Sequence, residues 1–100
     1  MRELILTPRA FDDVRSARRW YDSQREGLGT AFEDSLEAAF ERIRRMPQAG
    51  RAIEPPFRHI PLRRFPYEVF CEFDATRVVI VLVFHTSRDP AAASARLREH

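Results

Sequence analysis

Apolar positions change their spacing along this chain, and each change marks an element. Glu3 to Leu6 is a short apolar segment closed by Thr7-Pro8. Threonine followed by proline starts a helix: the hydroxyl accepts a free first-turn amide, and proline stands where its missing N–H costs nothing. Phe11, Val14, Ala17 and Tyr21 then recur at three- and four-residue spacing, which predicts one apolar face of a helix from about Arg9 to Gln24. Gly27-Leu28-Gly29 breaks it. Phe32, Leu36, Ala39, Phe40, Ile43 and Met46 predict a second helix that ends before Pro47, with Thr30 and Glu33 at capping-box spacing near its start. Arg42, Arg44 and Arg45 lie in its last turns, where cations suit the carbonyl end of the dipole. So short a break between helices predicts an antiparallel hairpin.

Pro47 to Phe57, with Pro55 and Pro56, reads as an irregular connection. Beyond it the period is that of strands. Arg58 to Arg64 is one, Phe65-Pro66 its turn, and Tyr67 to Asp74 the next; Ala75-Thr76 turns into a long strand from Arg77 to Phe84. Asp89-Pro90 repeats the cap-plus-proline signal and predicts a short helix over Ala91 to Arg98. The order is β-α-α-β-β-β with a helical tail. That is an α+β two-layer domain, a helix hairpin on a mainly antiparallel sheet, and residues 1–100 are expected to form that one domain.

Val78 to Phe84 is apolar at every position. Strict alternation points Val78, Ile80, Leu82 and Phe84 one way and Val79, Val81 and Val83 the other, with Phe70 adding apolar surface from the preceding strand. A helix hairpin covers only one sheet face. The second is covered either by the C-terminal tail or by another chain.

Seven residues is the longest apolar run, far short of the roughly 20 that cross a membrane, and the start MRELILTPRA lacks a signal-peptide h-region. One cysteine, Cys71, makes no internal disulfide, and no Cys/His set has zinc spacing. The expectation is a reducing cytoplasm, with no metal or other cofactor and no membrane partner. Cys71 alternates with Tyr67, Val69 and Phe73 and reads as a small buried hydrophobe.

Charge adds a direction. All 17 basic side chains are arginine, so every charged clamp is a planar guanidinium and no lysine can act as a base. Residues 1–50 balance nine arginines against nine carboxylates, whereas residues 51–100 carry eight against six. Arg42, Arg44, Arg45, Arg51, Arg58, Arg63 and Arg64 run with few acids between them. Such a stripe meets nucleic acid or an acidic protein, or is an ordinary solvated face.

The segment His85-Thr86-Ser87-Arg88-Asp89-Pro90 gathers an imidazole, two hydroxyls, a guanidinium and a carboxylate. Read as chemistry, His85 is a general acid or base and Arg88 a phosphate clamp. Read as structure, His85 closes a strand and Asp89 caps the next helix. Arg58, His59, Arg63 and Arg64 likewise form either an anion site or a charge-protected edge strand. Trp20 and Tyr21 read as hairpin packing.

Taken in order, these pieces resemble the RelE/ParE family of type II toxin–antitoxin toxins. The resemblance rests on Thr7-Pro8-Arg9-Ala10, Trp20-Tyr21, Gly27-Leu28-Gly29 before Phe32, Ile43 with Pro47, Arg63-Arg64-Phe65-Pro66-Tyr67, and the apolar strand running into His85-Thr86-Ser87-Arg88-Asp89-Pro90. It implies a small bacterial toxin, of the kind tied to plasmid stabilization, held inactive by a cognate antitoxin. RelE-like members cut mRNA on the ribosome with basic side chains on the sheet. Aligned at Phe-Pro-Tyr, their basic pair falls at His59 and Pro61, and their sheet arginine falls at Glu68, which repels phosphate. Only Arg88, and His85 by likeness to YoeB-like nucleases, carry over as catalytic. ParE-like members lack that set and bind DNA gyrase, so the resemblance favours a ParE-like inhibitor that is not an enzyme. The alternatives are an mRNA endonuclease, or a non-toxic corepressor that meets operator DNA through its antitoxin. For a ParD-like antitoxin or the target, the implied contacts are Arg58, Arg63, Arg64, Phe70, Val79, Val81 and Val83.

Overall fold

The computed structural model describes residues 2–100. Strand β1 (Glu3–Leu6) leads into helix α1 (Pro8–Gln24), and α2 (Leu28–Arg45) follows. After a 3-10 turn at Pro47–Ala49 come β2 (Arg51–Ala52), β3 (Arg58–Pro61), β4 (Tyr67–Phe73) and β5 (Arg77–His85), then helix α3 (Pro90–Glu99). The five strands lie in the order β1-β5-β4-β3-β2, antiparallel except for β1 beside β5. The α1–α2 hairpin packs on one face of this α+β sheet and α3 on the other.

Local chemistry sets the helix ends. The Thr7 hydroxyl accepts from Ala10 N at 3.1 Å, and the Asp89 carboxylate accepts from Ala91 N at 2.9 Å. For α2 the cap comes from the neighbouring helix. Gly27 holds the left-handed conformation at φ 84° that favours glycine, and Asp22 Oδ1 of α1 accepts from Gly29 N at 3.1 Å. The capping box expected from Thr30 and Glu33 is not used, because α2 begins two residues before Thr30. Glu33 instead pairs across the hairpin with Arg18.

The hairpin face is lined by Ala10, Ala17 and Tyr21 from α1 and Phe32, Leu36, Ala39 and Ile43 from α2. Tyr21 stacks on Phe32 at 5.3 Å, and Phe65 meets both rings edge-on. Two residues expected on this face lie outside it: Phe11 is 53% exposed and Met46 55%. The face of α1 runs from Ala10 rather than Phe11, one residue round the helix, and Met46 falls past the last turn of α2.

Beyond α2, two corrections concern strand length. The strand expected over Arg58 to Arg64 stops at Pro61, whose missing N–H cannot extend a ladder, and Arg64 turns the chain at φ 75°. Arg51–Ala52, read as irregular, pairs with β3 and adds a fifth strand.

A third correction concerns β5. Phe70 lies opposite Leu82 and Cys71 opposite Ile80, so Val81 is an extra residue in the ladder. Such a bulge reverses the alternation. Val78, Ile80 and Val83 face the hairpin, whereas Val79, Val81, Leu82 and Phe84 join Phe57 and Phe70 on the other face. There Ala93 and Leu97 of α3 roof them. Of the two possible covers for this face, the C-terminal tail is the one in place.

Candidate functional site

Where β5 ends, the sheet and α1 diverge and leave an open cleft of about 570 Å³. Asp13, Ser16 and Trp20 line it from α1, Tyr67 from β4, and His85, Ser87 and Arg88 from the end of β5 and the turn beyond. Trp20, expected to be packed, stands 56% exposed at this rim, edge-on to Tyr21 at 5.0 Å. The cleft joins an aromatic wall to one guanidinium and one imidazole. It therefore gathers the two residues, His85 and Arg88, that sequence reasoning named for chemistry.

Their geometry limits what they can do. The Ser87 backbone N–H donates to His85 Nδ1 at 3.0 Å, and the Ser87 hydroxyl lies 2.7 Å from the same nitrogen. An accepting Nδ1 places the neutral ring's proton on Nε2. Among the described residues no carboxylate is hydrogen-bonded to the ring; Tyr67 meets it edge-on at 5.0 Å. Burial pushes the Tyr67 hydroxyl above the usual phenol range, which keeps it a neutral hydrogen-bonding group. The Arg88 guanidinium lies over the Phe84 ring at 5.8 Å and makes no ion pair among the described residues.

The opposite sheet face holds the positions where an RNA-cutting relative would carry its basic set. His59 stacks on Phe70 at 5.1 Å, and its Nδ1 lies 2.7 Å from Glu68 Oε2. The contact is close but not aligned as a hydrogen bond, and Nδ1 has no other partner. Pro61 stands opposite Glu68 in the ladder. Of these three positions only His59 is basic, and the Glu68 carboxylate lies against it.

The expected partner-binding residues do not come together. Phe70 and Val81 are buried beneath α3, with Val79 partly buried beside them, and the bulge turns Val83 to the hairpin side. Arg58 donates to the carbonyls of Gln48 and Gly50 at 3.2 and 2.8 Å, strapping that loop to β3. Arg63 and Arg64 stand exposed in the β3–β4 turn, away from the buried set. Sequence reasoning missed Asp13. Its carboxylate accepts from Val83 N at 3.1 Å and meets Arg96 at 2.7 Å. Its spacing to Ala17 and Tyr21 was the available signal, since a carboxylate bordering an apolar helix face must find partners. Among the described residues no cluster of three or more His, Cys, Asp or Glu could hold a metal ion, and no helix is long and apolar enough to cross a membrane.

Residues 4–90 match the family model described as ParE toxin of type II toxin-antitoxin system, parDE. Among solved structures the chain is similar to one from the chromosomal ParDE TA system of P. aeruginosa, at TM-score 0.77 and 16% identity, covering 87% of this chain and 98% of that one. It is also similar to the isolated E. coli RelE toxin, at TM-score 0.63 and 20% identity, over 100% of both chains. No curated protein matches the sequence.

Proposed function

The chain belongs to the ParE toxin family of type II toxin–antitoxin systems, and we propose that it is the toxin of such a system, acting in the cytoplasm by binding DNA gyrase. In this reading residues 1–100 work as one domain, a cognate ParD-like antitoxin neutralises them, and operator DNA is met only through that antitoxin. Inhibition by binding needs a complementary surface and no nucleophile. The observation that carries gyrase over mRNA is Glu68, 2.7 Å from His59 on the face where an RNA-cutting relative needs cations. The Ser87 contacts to His85 Nδ1 support the same choice, because they occupy the imidazole nitrogen that would accept a proton.

Induction in a bacterial host that lacks the antitoxin tests this. Filamentation with a DNA-damage response is the expected result, and it persists in His85→Ala and Arg88→Ala. Immediate loss of translation with cleaved mRNA, abolished by either substitution, would replace gyrase with the ribosome. Normal growth would leave the corepressor role in place of toxicity.

A further inference from the structure

The cleft at the end of β5 brings charges of both signs together with an exposed indole. Arg88 is the one guanidinium among the described residues that line it, and Asp12 and Asp13 bring carboxylates from α1. Asp13 is fully engaged, its two oxygens taken by Arg96 and the Val83 amide. Asp12 meets only Arg15, at 4.0 Å on the exposed side of the helix. The charges of Arg88 and Asp13 both act on the Tyr67 hydroxyl, so the positive and negative walls stand close to each other.

Trp20 supplies apolar surface. Its ring packs edge-on against Tyr21 at 5.0 Å, yet more than half of the residue is exposed. An anchored indole of this kind offers a planar ring a wide contact at little conformational cost. Arg88 is held over the Phe84 ring at 5.8 Å. His85 Nδ1 is taken by Ser87, so Nε2–H is the donor that its ring has left for an anion.

These features select among ligands. A phosphate would bring up to two negative charges to one guanidinium with two carboxylates on the neighbouring helix, and a nucleic-acid strand would bring more. A single carboxylate matches a single guanidinium, which takes it through two parallel N–H groups. A ligand that also carries a cation turns Asp12 from an opponent into a partner. At about 570 Å³ the cleft falls within the range of small-molecule sites.

We propose that this cleft binds a free aromatic α-amino acid, with its ring against Trp20, its carboxylate on Arg88 and His85 Nε2–H, and its ammonium toward Asp12. The inference goes beyond the gyrase reading, which needs no small ligand.

Trp20 is the chain's one tryptophan, so its emission reports on the cleft directly. The full chain is titrated with L-phenylalanine, which does not absorb where indole is excited at the red edge of its band. A saturable change in emission with a Kd of about 1 mM is expected. Phenethylamine, which lacks the carboxylate, should bind about tenfold more weakly. Hydrocinnamate, which lacks the ammonium, should bind about threefold more weakly, since an exposed ion pair contributes little. L-alanine, which lacks the ring, should leave the emission unchanged. Arg88→Gln should abolish the preference over phenethylamine, and Asp12→Asn the preference over hydrocinnamate. Both positions are exposed, and the ligand series on the unaltered chain decides alone should either variant fold poorly. An unsaturable response to L-phenylalanine would overturn the proposal, as would phenethylamine binding equally tightly or both preferences surviving the substitutions. Tighter binding of adenosine monophosphate than of L-phenylalanine would overturn it in favour of a nucleotide site.

Discussion

Asp13 on α1 and Arg96 on α3 meet at 2.7 Å around the edge of β5, with the side chains only 17% and 19% exposed. β1 pairs with β5 only as far as Ile80, so Val83 has no strand partner on that side. The second oxygen of Asp13 takes the Val83 amide. One carboxylate thus closes a sheet edge and ties both helical layers to it.

Asp13→Ala should therefore cost about 2–3 kcal/mol, because it strands a backbone donor and a half-buried guanidinium together. Asp13→Asn, which still offers an oxygen to Val83, should cost less. Urea midpoints of the two variants and of Arg96→Met make the comparison, and equal losses for alanine and asparagine would mean that the amide contact contributes nothing.

Cys71 is buried, and burial pushes its thiol up to about 11 from 9.0. Above pH 9 the unfolded chain releases this proton while the native chain keeps it, so the native state binds more protons and stability falls as pH rises. Between pH 9 and 10 the slope should approach about 1 kcal/mol per pH unit. Cys71→Ala should flatten it, and a wild-type slope surviving that substitution would assign it to other groups.

A side chain at Gly29 would run into the Asp22 carboxylate that caps α2. Gly29→Ala and Asp22→Ala should each cost about 1 kcal/mol, and the double variant little more than either, since both remove the same cap. Additive losses in thermal melts would show that the two residues act separately.

Leu97 of α3 is 3% exposed over Phe70, Val81 and Phe84. Leu97→Ala should cost about 2–4 kcal/mol, and Val81→Asp should destabilise the free protein more severely. Amide exchange along β5 and α3 should be slow without any partner. Fast exchange at Val81 in the free chain would mean that α3 does not hold this face.

How much of this was legible depended on which signal carried it. Thr7-Pro8 and Asp89-Pro90 placed two helix starts correctly because a cap and a proline act within one turn. The bulge at Val81 was invisible, since a run that is apolar on both faces reads the same in either phase. That error carried into the site, sending Val83 to the wrong side and joining Arg63 and Arg64 to residues that lie beneath α3. Asp22 capping another helix is a contact that sequence spacing cannot announce, and the spacing of Asp13 to Ala17 and Tyr21 marks a carboxylate in need of partners without naming β5. The cleft pair His85 and Arg88 was legible because six consecutive residues hold both.

Within the sheet, β1 hydrogen-bonds only to β5, with Glu3 opposite Arg77 and Leu6 opposite Ile80. During synthesis the first strand to leave the ribosome therefore waits for the last. The hairpin of α1 and α2 can form from neighbours in sequence, but its apolar face has no completed sheet to rest on until Arg77–His85 emerges. Until then the chain is a helix pair with an unpaired strand ahead of it, and its assembled surface comes into being only once β5 is available to β1.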